Sequence, residues 1–217
     1  MSRIAVVGGT GHLGAAIAKR LAKAGHHIVI GSRAAESAQK AAAEIGHGAT
    51  GGANADIAAG ADFVIVTVPY GAQAATLSEI KDRVGSAIVV DATVPLKPPK
   101  VMRVQLPQAG SAALEAQAIL GEGVRLVSAF HSVAAHKLAT DEKVDCDVLV
   151  FSDDIEARKA VMELVSQMDL RPVAGGALAN AAAAEALTSI LIFLNKTYSA
   201  DGAGIRFTGL TTAPPIP

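Results

Sequence analysis

The sequence predicts an α/β fold of the Rossmann type: a doubly wound parallel sheet with a short C-terminal α/β extension. Three observations predict it. The β-branched run Ile4–Val7 breaks into a glycine-rich turn, then passes at once into an Ala/Leu-rich helical pattern reaching about Ala24. Strand-like and helix-like segments alternate along the 217 residues, the pattern of βαβ units. The segment Asp62–Val68 is apolar at nearly every position, as a central parallel strand covered on both faces requires.

The first turn carries the most chemistry. Gly9-Thr10-Gly11-His12-Leu13-Gly14 has the spacing Gly-x-Gly-x-x-Gly between a strand and a helix, the context in which that pattern binds a dinucleotide. The first glycine is expected to allow the tight turn. The second lets backbone approach a pyrophosphate, and the third lets helix and strand pack closely. The helix N-terminus presents free N–H groups and a positive dipole end to the phosphates. Gly25 is placed to end the helix.

The second strand, His27–Arg33, distinguishes between dinucleotides. Near its end, about 20 residues past the turn, an acid would bind the ribose 2′-hydroxyl of NAD. Ser32 and Arg33 stand there instead. A guanidinium grips a 2′-phosphate through charge-assisted, often bidentate bonds, whereas a carboxylate repels it. The pair therefore predicts NADP(H). Glu36 follows closely and is the alternative partner for Arg33.

The remaining elements follow in order. Ala34–Ile45 is helical and stops at Gly46; Gly48–Ala53 is glycine-rich and ambiguous; Ala55–Ala59 is one short turn. After Asp62–Val68, Pro69-Tyr70-Gly71 is a stop, Ala72–Val84 a helix and Ala87–Asp91 a strand. Prolines at 95, 98 and 99 forbid a helix, so Thr93–Gln108 reads as a long loop, a length often reserved for function. Helix Ser111–Leu120, strand Val124–Ala129, strand Val148–Phe151, helix Asp153–Met168 and short strand Arg171–Ala174 complete the alternation. Asn180–Tyr198 is a helix apolar nearly all round, hence buried in a core or an interface. The chain divides into a dinucleotide-binding part (1–150), an extension packed on it (151–210) and a tail (211–217) without packing signal.

Ligands of an open parallel sheet sit beyond the C-terminal ends of its strands. Five such ends are expected to converge: Gly8–Gly11, Ser32–Arg33, Val68-Pro69-Tyr70, Asp91–Val94 and Phe130-His131-Ser132. His131 is the candidate for polar or acid/base work, with an orienting hydrogen bond as the plainer role. His12 lies in the phosphate turn, and His26 and His27 flank the second strand as solvated residues. His131 and His136 have no carboxylate in register and predict no metal site. Cys146 is the sole cysteine, with no neighbouring cation to activate it. No Tyr-x-x-x-Lys pair, Cys/His dyad or Gly-x-Ser-x-Gly elbow occurs. A nicotinamide site with so few catalytic side chains suits a partner that is itself a redox cofactor.

Composition removes other classes. Net charge is −1, with 18% charged, 51% hydrophobic and 3% aromatic residues. This offers no basic face for nucleic acid and no polybasic membrane patch. No uninterrupted apolar run reaches 18 residues, so no membrane span is expected. A cytoplasmic enzyme is the expectation.

Several further motifs occur in order: Gly31-Ser32-Arg33, Thr67-Val68-Pro69-Tyr70, Ala92-Thr93-Val94-Pro95-Leu96, Ser128-Ala129-Phe130-His131, Leu178-Ala179-Asn180 and Gly204-Ile205-Arg206-Phe207. With the first turn, they make the chain resemble the deazaflavin-dependent NADP reductases from about Ser2 to Leu210. Those enzymes exchange hydride between NADPH and coenzyme F-420 (F420). The resemblance implies an NADP site built from Thr10, Gly11, His12, Leu13, Ser32 and Arg33, with Ser37 as a further 2′-phosphate contact. It implies that Tyr70, Ala74, Val94, Leu96 and Ala135 line the nicotinamide side. The deazaflavin would then stack near Val68-Pro69, His131 and the Ala203-Gly204 turn. It also implies a homodimer, for which Asn180–Tyr198 is the candidate interface. The chain departs from the family pattern at Ala181–Ala184, where relatives usually place an Arg, and at Ser132, where Asn or Thr is more usual.

Two other functions fit the same residues. An NADPH-dependent flavin or metal reductase would use the same NADP half. A non-catalytic NADP(H) sensor would need only the adenine and phosphate grip, leaving the nicotinamide ring in solvent.

Overall fold

The computed structural model describes residues 1–210; the predicted tail, 211–217, lies outside them. The described strands form one eight-stranded sheet in the order β3-β2-β1-β4-β5-β6-β7-β8. Its elements are β1 (Arg3–Val7), α1 (His12–Lys23), β2 (His27–Ser32), α2 (Ala35–Ile45), β3 (Thr50–Ala53), α3 (Asn54–Ala58), β4 (Phe63–Val66) and α4 (Tyr70–Ile80). There follow β5 (Ile88–Asp91), α5 (Ala112–Leu120), β6 (Arg125–Ala129), α6 (Ala135–Leu138), β7 (Asp147–Phe151), α7 (Ile155–Gln167), β8 (Arg171–Gly176) and α8 (Ala181–Tyr198).

Strands β1 to β6 are parallel, in registers such as Val6↔Ile30 and Val7↔Val66. Their side chains alternate between two apolar layers. Ile4, Val6, Ile65 and Val90 enter one, with Ile17 and Leu21 of α1. Ala5, Val7, Val64 and Val89 enter the other, with Leu77 of α4 and Ala113 of α5. Double-sided burial is why these strands read as continuous apolar runs.

The sheet departs from the expected all-parallel arrangement at one seam. β7 runs antiparallel to β6, pairing Ser128↔Phe151, and then continues parallel to β8. Behind the sheet, the buried Arg20 of α1 ties the C-terminal part to the first half. Its guanidinium donates to the carbonyls of Leu138, Met168, Thr140 and Glu142, at 2.7–2.9 Å. A buried charge with four of its five donors used is a strong staple, and here it joins α1 to α6 and the C-terminal part.

Several boundaries move. The ambiguous Gly48–Ala53 stretch supplies edge strand β3. A Cβ on Gly51 would collide with the Ala38 backbone, so α2 can lie against this edge only over glycine. Helix α4 begins at Tyr70, because Pro69 serves as its N-cap and not merely as a stop. His26 is buried and not solvated: its Nε2 lies 2.7 Å from Gln167 Oε1, and its Nδ1 accepts from Ser2 N at 3.3 Å. The run Leu178–Tyr198, mean hydropathy 1.4, is long and apolar enough to cross a membrane by length and composition. In this structure α8 instead packs on α5, with buried Glu185 among its contacts.

Candidate functional site

Strand β1 lies between β2 and β4, so the sheet changes direction there, the switch point where a crevice opens. Parallel pairing carries the C-terminal ends of β1, β2, β4, β5 and β6 to one edge. The glycine turn sits at the centre of that edge.

Each glycine of the turn has a separate cause. The left-handed turn residue is Gly8 (φ +73°), not Gly9. A Cβ on Gly9 would lie 2.7 Å from Val6 O, and its N–H contacts Val6 O at 3.2 Å and Gly31 O at 3.0 Å. A Cβ on Gly14 would fall on Thr67 Oγ1 and lie 2.8 Å from Gly9 Cα, so α1 can approach β4 only over glycine. Gly11 differs. Its φ of −77° is open to any residue, and a Cβ there would meet only Gly8 O, at 3.5 Å. No contact among the described residues requires glycine at 11, and the empty space lies beside exposed Thr10 and His12. A backbone bared for close approach by something outside the protein accounts for it. Helix α1 has no side-chain N-cap and no acid in its first turn, which leaves its positive end free for an anion. These features fit the pyrophosphate of a dinucleotide.

At the tip of β2, Ser32 is half-buried and Arg33 exposed. Arg33 forms no ion pair among the described residues, and Glu36 does not engage it. Ser37 is exposed in the first turn of α2, beside that cation. Buried Asn54 supports the crevice from behind, its Oδ1 accepting from Gly8 N at 3.3 Å.

On the other side of β1, Val68 touches the turn: a Cβ on Gly8 would lie 2.6 Å from its Cγ1. Pro69 is exposed, Tyr70 half-buried and Ala74 exposed one turn along α4. Tyr70 donates its hydroxyl to Glu115 at 2.8 Å, and Lys97 Nζ stands 5.4 Å from its ring centre. Burial, then the bond to Glu115, pushes the phenol up to about 12, so it remains a neutral donor. Val94 and Leu96 are half-buried in the loop that follows β5.

Beneath this wall lies a polar network that the sequence reading missed. Asp91, at the end of β5, accepts from Gln73 Nε2 (2.5 Å), Thr93 N (3.1 Å) and Thr93 Oγ1 (2.6 Å). Gln73 also donates to Ala112 O at 3.1 Å. Glu185 of α8 accepts from Ala112 N at 2.7 Å and Ala113 N at 3.0 Å, capping α5 from another helix. Asp91 and Glu185 are 1% and 2% exposed. Burial outweighs their hydrogen bonds and pushes them up to about 6 and about 7. Asp91 was legible as a strand end, but Glu185 lies more than 70 residues from the helix it caps and gave no local signal.

His131 follows Phe130, whose φ of +71° is unusual for a bulky residue and turns the chain sharply at the end of β6. The His131 ring is buried, with Nε2 2.8 Å from Ser128 Oγ and Nδ1 without a partner among the described residues. Burial pushes its pKa down to about 4, so at neutral pH it is an uncharged hydrogen-bonding group and not a proton shuttle. Thr188 of α8 donates to His131 O at 2.8 Å. Ala135 opens α6, and the 202–203 turn packs beside it: a Cβ on Gly202 would lie 2.8 Å from Ala134 Cβ, and Ala203 N donates to Asn195 at 2.7 Å. Cys146 is buried before β7, beneath the same turn: a Cβ on Gly204 would lie 2.6 Å from its Cβ; burial, then Asp147 and Asp145, pushes its thiol up to about 11.

A switch-point crevice with an uncapped, acid-free helix N-terminus and a glycine bared to solvent defines a dinucleotide-binding Rossmann protein. The family model of F420-dependent NADP oxidoreductases matches residues 3–95. An F420-dependent NADP reductase of Methanothermobacter thermautotrophicus is 39% identical over 96% of this chain and 95% of its own. One from Methanocaldococcus jannaschii is also 39% identical, over 96% and 99%. A solved Arthrobacter sp. FB24 structure superposes with a TM-score of 0.85 at 24% identity, over 96% of this chain and all of that one. The chain belongs to the F420-dependent NADP reductase family and is an NADP-dependent oxidoreductase.

Proposed function

We propose that this enzyme passes hydride directly between NADP(H) and the deazaflavin of coenzyme F420, its side chains supplying position and electrostatics. The observation that carries the NADP half is Gly11, a glycine that no contact among the described residues demands, at the N-terminus of α1. In this reading Gly9, Thr10, Gly11, His12, Leu13 and Gly14 hold the pyrophosphate. Ser32, Arg33 and Ser37 hold the 2′-phosphate. Bound NADPH supplies the hydride that the deazaflavin accepts.

The protein's part is to fix the two rings and keep water away. Val68, Pro69, Val94 and Leu96 give an apolar wall, and Tyr70 and Ala74 close one side. His131, held neutral by burial, orients a ring amide or carbonyl without trapping a proton. Ala135 and Ala203 bound the far side, where the C-terminal turn meets α6. Positioning alone can remove much of the barrier to hydride transfer.

We also infer a cytoplasmic homodimer. Ile190 (44% exposed), Phe193 (50%) and Tyr198 (72%) give α8 an apolar outer surface suited to a second copy. Steady-state turnover of NADPH with oxidised F420, with FMN and with ferric complexes tests the electron partner. Rapid reduction of F420, with the other two slow, is the expected result. Reduction of FMN or iron in its place assigns the chain to the flavin or metal reductases; NADPH binding with no acceptor reduced favours the sensor.

A further inference from the structure

The loop between β5 and α5 carries three exposed cations, Lys97, Lys100 and Arg103. From Thr93 to Gln108 it contains no Asp or Glu. None of the three forms an ion pair among the described residues. In a chain of net charge −1 this is a local excess.

The excess is held in place. Lys100 N donates to Lys97 O and Arg103 N to Lys100 O, both at 3.1 Å, which makes two successive four-residue turns sharing Lys100. The side-chain amide of Gln105 closes them by donating to the carbonyls of Lys97 and Lys100, both at 3.3 Å. Lys97 sits over the Tyr70 ring and directly follows Leu96, so the cations begin where the nicotinamide wall ends. Glu115, the acid bonded to Tyr70 beneath Lys97, already accepts the Tyr70 hydroxyl.

The phosphates of NADPH cannot explain these charges. They belong to the turn after β1 and the tip of β2. The cationic loop follows β5, which is separated from β2 by β1 and β4, roughly 14 Å across the sheet at about 4.8 Å per strand. A second anion entering from the opposite side would meet the loop first. The deazaflavin of F420 is attached to a side chain that carries a phosphodiester and glutamate carboxylates.

We propose that Lys97, Lys100 and Arg103 on the β5–α5 loop bind the anionic side chain of the deazaflavin co-substrate. The proposal rests on the F420 reading above. It assigns the loop to substrate capture and leaves the ring stack to the wall residues.

The test compares intact F420 with its tail-less deazaflavin riboside as acceptors for NADPH, in the wild type and in a K97E/K100E/R103E variant. All three positions are exposed, and the single variant K100E guards against a folding defect. For the triple variant, KM for intact F420 is expected to rise about tenfold or more, since three attractions become repulsions. KM for the riboside and for NADPH should stay within about twofold. Added salt should raise the wild-type KM for F420 and not for the riboside. An unchanged KM for F420 in the triple variant, or an equal loss with both acceptors, overturns the proposal while leaving the hydride-transfer reading intact. Wild-type enzyme that reduces neither deazaflavin overturns both.

Discussion

Replacing Arg33 by alanine is expected to raise KM for NADPH roughly tenfold to a hundredfold and to leave KM for NADH unchanged. The magnitude is that of one lost charge-assisted hydrogen-bonding group, about 1.5–3 kcal/mol. The direction follows from what surrounds the residue. Arg33 is exposed, its charge is not spent on a protein carboxylate, and no acid stands at the tip of β2 to prefer a ribose hydroxyl. Reversal with Arg33→Glu should go further, because a carboxylate would oppose the 2′-phosphate directly. Steady-state kinetics with both nucleotides reads the result. A preference for NADPH that survives Arg33→Ala would show that the 2′-phosphate lies elsewhere.

The second large effect concerns Glu185. Glu185→Ala leaves the N–H groups of Ala112 and Ala113 buried without acceptors, and each such group costs about 1–3 kcal/mol. A substantial fall in the denaturant midpoint is expected, with loosening of the wall that Gln73 and Tyr70 build from the same corner. The pH dependence separates this carboxyl from a purely steric role. In the folded protein burial holds Glu185 at about 7, against 4.5 when unfolded. Between those values the folded state binds the extra proton. Its contribution to stability is therefore complete below about pH 4.5 and is lost as pH rises through about 7. Asp91, raised from 3.8 to about 6, acts in the same direction over a lower window. Stability should thus decline from mildly acidic to neutral pH. Glu185→Gln, which cannot titrate, should flatten the upper part of that decline and leave the lower part to Asp91. A variant with the wild-type slope would remove Glu185 from the account.

Much of the fold was legible because local sequence carried its cause. Ile4–Val7 and Phe63–Val66 are buried on both faces and read as strands; Gly25 and Gly46 end their helices at positive φ. What escaped notice depends on the third dimension. Gly51 and Gly52 look like loop residues until α2 is seen pressed against Gly51. The reversal at β7 leaves no trace, since strand direction is not written in an apolar run. The same holds within the site. The glycine turn and Arg33 announce themselves by motif and by a missing acid. Asp91, Gln73 and Glu185 are joined only through hydrogen bonds between distant elements. His26, polar and next to a second histidine, looks like a surface residue until Gln167 of α7 reaches it.

The central claim is that two rings meet on this protein with no side chain carrying the hydrogen between them. Anaerobic turnover of F420 with NADPH deuterated at the transferred position of the nicotinamide, run in ordinary water, tests it. Direct transfer predicts that the deuterium arrives on the ring carbon of the reduced deazaflavin. Deuterium lost to solvent, with hydrogen from water in its place, would mean that a protein group or another carrier intervenes, and would contradict the account.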